Sequence, residues 1–269
     1  PHRLPITSTT KLRRSATANV LGRWQGRGPR AHEVVLLSGH YDHFGIGATV
    51  DGDSIYNGAE DNASGTAAVL AAAEAFAKSG VRSGRSMVFV GFAAEESGLL
   101  GSQALADNPP FPLKDVAAIL NLDVMNLHGK TRDFSALGLD QSSLGKTVAE
   151  AAAAEGLRIT ANEEALVRGE FFRSDHFSLA RAGVPGTSLQ SGSDYVGREA
   201  GWGKEEKDEY VAKRYHQPQD NIQPWFNYEG AVQQLRVTVR TAVMIGDTPA
   251  PPTWSATSEF RQAGEARRR

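Results

Sequence analysis

The 269 residues are 40% hydrophobic and 22% charged, ordinary usage for a globular chain long enough to bury a sizeable core as one large or two small domains. There is no cysteine, which excludes thiolate chemistry, disulfide scaffolds and Cys-type metal sites, so any metal must be held by His, Asp and Glu. Net charge is −2, but residues 31–248 carry 18 Lys/Arg against 29 Asp/Glu, an acidic body that argues against a nucleic-acid surface.

Pro1 opens the chain without Met or a signal-peptide pattern, which points to a longer precursor. Residues 1–30 read as a basic N-terminal arm or linker remnant, with Lys11, Arg13 and Arg14. Residues 31–248 read as the functional body, and 249–269 as a Pro-rich, basic tail ending in Arg267, Arg268 and Arg269. No apolar run approaches the roughly 18 residues of a membrane span.

From residue 34 to 246 apolar runs alternate with helical stretches, the pattern of a mainly parallel sheet covered by helices. Val34–Leu37 reads as a buried strand, and Ser64–Lys78 as a helix with Val69, Leu70, Ala73, Phe76 and Ala77 on one face. Met87–Phe92 is a second strand, and Gly98–Ala106 a short helix ended by Asn108-Pro109-Pro110. Strands follow at Val116–Leu122 and Ser135–Leu139, then a helix over Ser142–Glu155 and a short one over Asp175–Ala182. A strand at Pro185–Gln190 and a closing helix over Asn227–Ile245 complete the series. The expected fold class is α/β: a single domain with a mixed, mainly parallel β-sheet flanked by helices. Residues 163–173 and 192–214 carry no periodic pattern, and loops of that length in a compact domain are more often functional than idle.

In open α/β sheets ligands bind beyond the carboxyl ends of the strands, so the polar residues after each apolar run matter most. His40, Asp42 and His43 follow the first strand, Glu95 and Glu96 the second, and Asp123 the third. Asp61 precedes a helix, and Tyr215 and His216 end the long segment before the last helix. Singly, these residues have ordinary roles as core histidine, N-cap or acidic helix start. Collected at one sheet edge, the carboxylates would repel one another by several kcal/mol unless cations neutralise them. Divalent metal is the economical solution.

In chain order, Gly39-His40-Tyr41-Asp42-His43, Glu60-Asp61-Asn62-Ala63-Ser64-Gly65, Glu95-Glu96, Asn121-Leu122-Asp123 and Tyr215-His216 resemble the motifs of the M28 family of co-catalytic dizinc peptidases. Ser174-Asp175-His176-Phe177, followed by Ala180-Arg181-Ala182-Gly183-Val184-Pro185, resembles its bacterial members. The resemblance spans residues 34–246. It implies the zinc-dependent exopeptidase (phosphorylase/hydrolase-like) fold and two Zn²⁺ per chain. Asp61 is then the bridge, His40 and Asp123 share one metal, and Glu96 and His216 share the other. It further implies Glu95 as general base, Asp42 as the carboxylate that orients the His40 imidazole, and Tyr215 as a donor to the developing oxyanion. The implied activity is removal of N-terminal residues from a peptide substrate, and the implied location is secreted or in the cell envelope. A carboxypeptidase and an inactive binding protein with the same fold are the alternatives. The chemistry agrees independently: imidazole and carboxylate suit Zn²⁺, and neighbouring Glu95 and Glu96 on an extended strand end point apart, so one can ligate while the other stays free.

With five ligands placed, His43 and His176 are read not as ligands but as structural residues or as groups that support the ligands from behind. Asn62-Ala63-Ser64 is formally a glycosylation sequon, but it sits against Asp61, where a glycan hardly fits. Phe171, Phe172, Tyr195 and Trp202 flank the unassigned segments as pocket walls or as packing.

Overall fold

In the computed structural model, which describes residues 7–10 and 14–269, the chain runs β1 (Val20–Trp24), β2 (Val34–His40), β3 (Gly45–Val50), β4 (Asp53–Tyr56), α1 (Ser64–Ser79), β5 (Ser86–Phe92), α2 (Leu100–Asp107) and β6 (Val116–Asn121). It continues through β7 (Asp133–Leu137), α3 (Leu144–Ala154), β8 (Arg158–Ile159), α4 (Glu163–Val167), α5 (His176–Arg181), β9 (Gly186–Ser191), α6 (Trp202–Lys213), α7 (Glu229–Asp247) and α8 (Arg261–Arg267). Lys11 and Arg13 of the expected basic arm lie outside the described residues.

Seven strands form one sheet in the order β1-β5-β2-β6-β9-β7-β8, and β3 and β4 form a separate hairpin. Strands β5, β2, β6 and β9 are parallel. β1 is antiparallel to β5, and β7 to β9. The mixed, mainly parallel sheet flanked by helices is the architecture that the sequence pattern predicts. Every residue of β2 and β6 is buried, because helices cover both faces and leave no solvated side. The two-residue period sends Val35, Leu37, Met87, Phe89 and Leu120 toward α1, α3 and α7, and Val34, Leu36, Val88, Val90 and Ile119 toward α2 and α5. Each such side chain contributes roughly 1.5–3 kcal/mol by burial.

Helix α1 departs from its expected face. Gly65, Ala68, Val69, Ala72 and Phe76 are buried, while Leu70 is 65% exposed. Gly65 sets this rotation: a Cβ there would meet the Leu122 carbonyl oxygen at 2.4 Å and Asn62 Oδ1 at 2.3 Å, so the helix start lies directly on the backbone beyond β6. Both chain ends also join the body more closely than expected. β1 pairs with β5 from Val20↔Gly91 to Trp24↔Met87. Trp254 and Phe260 are buried with Leu137, Phe171 and Ala180, and Arg267 donates to the carbonyls of Leu113, Val116 and Gly183. The folded body therefore extends past 31–248 on both sides. Among the described residues, no helix is long and apolar enough to cross a membrane.

The register aligns His40 with Phe92 and Ser38 with Asn121, so β2, β5 and β6 end at one level. From β2 the chain passes to β5 on one side and then to β6 on the other. The strand order reverses at β2 and opens a crevice beyond its carboxyl end.

Candidate metal centre

His40 ends β2 and is buried. Its Nδ1 donates to the Asp42 carbonyl at 2.9 Å, which leaves Nε2 facing Asp61 Oδ1 at 3.1 Å and Asp123 Oδ1 at 3.4 Å. The expectation for Asp42 is corrected here: its carbonyl, not its carboxylate, orients the imidazole. The carboxylate accepts the Ala94 N–H, at 2.8 Å to each oxygen. Ala94 sits at φ 55, a left-handed conformation that turns its N–H toward Asp42. Asp42 thus shapes the bend that delivers Glu95 and Glu96 after β5.

Asp61 lies in a non-helical kink just before α1. Asp220 pins that kink by accepting the backbone N–H of Glu60 at 2.8 Å and of Asp61 at 3.0 Å. The Asp61 carboxylate then divides between two histidines, Oδ1 facing His40 and Oδ2 lying 3.3 Å from His216 Nε2. His216 Nε2 is 3.1 Å from Glu96 Oε2, and the Tyr215 ring stacks on His216 with centroids 3.7 Å apart. Asp123 is held from behind by a relay, Ser38 Oγ to Asn121 Oδ1, Asn121 Nδ2 to Ser174 Oγ, both 2.7 Å, and Ser174 Oγ to Asp123 Oδ2.

The four imidazole–carboxylate distances thus run from 3.1 to 3.4 Å. Two ligands each 2.0–2.1 Å from one tetrahedral dication of zinc's size lie about 3.3–3.4 Å apart. The two longer contacts have the length of an edge of a coordination tetrahedron and the two at 3.1 Å are slightly shorter, and His40, Asp61 and Asp123 each bring a ligand atom within 4.8 Å of the others, a donor set that suits Zn²⁺.

Among the protein groups alone, burial opposes the charged form throughout the cluster. At His40 it is overridden by Asp123 and Asp61, which raise the pKa, and at His216 by Asp61 and Glu96, which raise it to about 9. His216 and His40 override burial at Asp61 and lower its pKa, while His216 and His43 pull Glu96 down to about 2. At Glu95 burial prevails and, reinforced by Asp123, pushes the carboxyl up to about 9. Dications beside it would reverse that balance and favour neutral imidazoles and an ionised Glu95.

The cluster opens into a cleft of about 940 Å³ lined by Glu95, Tyr215, Leu137, Phe172, Arg173 and Phe177 among others. Of the aromatic residues expected near the long segments, Phe172 faces this cleft and Tyr195 forms part of its wall, its hydroxyl donating to Asn126 Oδ1 at 3.1 Å. Phe171 packs under the loop against Phe260, and Trp202 packs against Tyr195. His176 is fully buried beside Phe171, and burial pushes its pKa down to about 4. Asn62 is buried with its amide bonded to Leu122 and Gly65, so the sequon is closed to a glycan. Sequence reasoning missed Asp220, which acts through backbone N–H groups about 160 residues away and carries no motif, and gave Ser174 no role.

Solved structures share this architecture. BSAP, a zinc aminopeptidase from Bacillus subtilis, superposes with a TM-score of 0.61 at 22% identity over 90% of this chain and 53% of that one. LapB from Legionella pneumophila gives 0.62 at 20% identity over 85% and 55%. Among curated proteins, leupeptin-inactivating enzyme 1 of Streptomyces exfoliatus is 31% identical over 66% of this chain and 36% of its own length. Aminopeptidase YwaD of Bacillus subtilis is 27% identical over 80% and 43%. The chain thus spans about half the length of these relatives or less. The model of peptidase family M28 matches residues 19–240, and the chain belongs to that family.

Proposed function

We propose that this chain is the catalytic unit of a dizinc aminopeptidase. The observation that carries the proposal is Asp61, whose two oxygens face His40 and His216 at 3.1 and 3.3 Å. On this reading His40, Asp61 and Asp123 would hold one Zn²⁺, and Asp61, Glu96 and His216 would hold the other. When bound, the ions supply Lewis acidity toward the scissile carbonyl and lower the pKa of water.

The residues do the rest. Glu95 accepts the proton of the attacking water as the new C–O bond forms, and returns it to the leaving amine as the tetrahedral adduct collapses and the peptide C–N bond breaks. The Tyr215 phenol donates a hydrogen bond to the oxyanion that develops on the former carbonyl. Glu95, a cleft carboxylate not assigned to a cation, would attract a substrate's free α-ammonium, which selects for an N-terminal residue. Arg173 lines the same cleft and would suit a substrate carboxylate, the feature that favours a carboxypeptidase instead.

Metal counting combined with three substrates tests this. The expected result is about two Zn²⁺ per chain, activity abolished by chelation and restored by zinc, and hydrolysis of leucine p-nitroanilide faster by orders of magnitude than of its N-acetyl form. At most one metal under zinc-replete conditions overturns the dizinc assignment. Equal rates with and without the acetyl group, or preference for an N-acyl dipeptide with a free carboxylate, overturn the aminopeptidase assignment.

A further inference from the structure

His43 follows His40 by three residues and turns back into the metal cluster instead of outward. Its side chain is 5% exposed, and its Nδ1 lies 2.7 Å from Glu96 Oε1. Neither atom has an aligned hydrogen-bond partner, and His43 Nε2 has none either. His43, Asp61 and Glu96 each offer a ligand atom within 4.8 Å of the others. Packing alone is a poor account of this ring, because a buried polar group without a partner costs about 1–3 kcal/mol and an apolar side chain would fill the space at no such cost.

The slot is built for the ring. Gly58 closes over it at φ 63, where a Cβ would stand 2.8 Å from His43 Cγ and 2.3 Å from the Asp61 carbonyl oxygen. Phe44 meets it edge-on at 4.7 Å and meets His216 at 4.9 Å. His43 can turn within this slot but has little room to leave it.

The His43–Glu96 contact is shorter than any contact among the five proposed ligands. The four ligand pairs lie 3.1 to 3.4 Å apart, the spacing of atoms bound to a common cation, whereas 2.7 Å is the length of a charge-assisted hydrogen bond. The Glu96 carboxylate is divided accordingly, Oε2 toward His216 and Oε1 toward His43. We propose that His43 is a positioning residue: a small turn of its ring brings Nδ1–H into line with Glu96 Oε1, 2.7 Å away, and thereby commits Oε2 to the cation that would be shared with His216. This rests on the dizinc reading above and adds to it a determinant outside the five ligands.

Zinc affinity, measured by competition with a chromophoric chelator, and the absorption spectrum of the cobalt-loaded protein test the proposal on the full chain. His43→Phe keeps the ring volume and removes the donor. It should weaken one zinc site by about 10–100-fold, the usual cost of losing a group that orients a ligand, and leave the other unchanged. His43→Asn places an amide N–H near the Nδ1 position and should recover most of the affinity. At saturating cobalt the band intensity, which reports coordination number, should match the parent protein in both variants. Parent-like affinity in both variants overturns the proposal, because His43 then only packs. A changed band intensity at saturation also overturns it, because His43 is then a ligand. If His43→Phe fails to fold, as judged by melting of the chelated protein, His43→Ala set against His43→Asn supplies the same comparison. A parent protein that binds fewer than two zinc ions refutes the dizinc reading itself, a result distinct from failure of the variants.

Discussion

Glu95 and Glu96 are chemically identical neighbours, and replacing each by Gln separates their roles. Glu96 Oε2 lies 3.1 Å from His216, so Glu96→Gln puts a neutral amide where one cation requires an anion, while His40 and Asp123 remain to hold the other. At free zinc 100-fold above Kd, each independent site stabilises the fold by about 2.7 kcal/mol. A chain of this size gains about 2–4 °C in Tm per kcal/mol, so zinc should raise the parent Tm by about 10–20 °C and that of Glu96→Gln by about half as much. Glu95→Gln should show the full rise and bind two metals, keep KM within about threefold, and lose about 10²–10⁴ in kcat. Calorimetry with and without zinc, metal analysis and steady-state kinetics give the three readings. If Glu95→Gln loses metal while Glu96→Gln keeps both ions and only turns over slowly, the two roles are reversed. If neither change matters, the reasoning fails.

His216 is raised to about 9 from an ordinary 6.5 by its carboxylate partners, so the stability it contributes is fully present below about pH 6.5 and is lost as pH rises through 9. Glu95, raised from 4.5 to about 9, acts in the same direction, because between those values the folded carboxyl keeps a proton that the unfolded chain has lost. The urea midpoint of chelated protein should therefore fall between pH 6.5 and 9 while that of zinc-loaded protein stays level, and a level midpoint in both would refute this. Tyr215→Phe should retain both metals and lower kcat by about 10²–10³, the cost of one oxyanion donor; unchanged kcat removes Tyr215 from the mechanism. Asp220→Ala strips the acceptor from two backbone N–H groups, at about 1–3 kcal/mol each. Urea unfolding should show a loss of about 2–6 kcal/mol, and a loss under 1 kcal/mol would show that the kink before α1 holds without it.

The central strands were legible because β2, β5 and β6 are short apolar runs buried on both faces, and the same runs pointed to the residues beyond their ends. Strand β1 was not, since Val20-Leu21-Gly22-Arg23 lies at the sheet edge and is exposed. The β3–β4 hairpin is rich in Gly and Asp and stands outside the main sheet. Helix α6 has no apolar face to read: it is anchored by buried Tyr210 and, just beyond its end, by Arg214, which donates at 3.0 Å to both Glu60 and Glu206. In the site, His40, Asp61, Glu96, Asp123 and His216 were reached by their places after the strand ends and before the helices and by the resemblance to family M28, since singly each has an ordinary role. The Asp42 role was misassigned because a sequence does not reveal which oxygen, carbonyl or carboxylate, a neighbouring imidazole will meet.

The Pro-rich, basic tail has a consequence for the cleft. Phe260 packs 5.7 Å from Phe171 and 6.2 Å from Phe177, and Phe171 in turn meets Phe172 at 5.6 Å. Phe172 and Phe177 face the cleft from the other side. Residues 254–260 therefore buttress one wall of the cavity from behind, anchored by the Arg267 guanidinium on the carbonyls of Leu113, Val116 and Gly183. The shape of that wall depends on a segment beyond residue 240, where the family match ends, so two chains with the same metal ligands and different tails need not accept the same side chains.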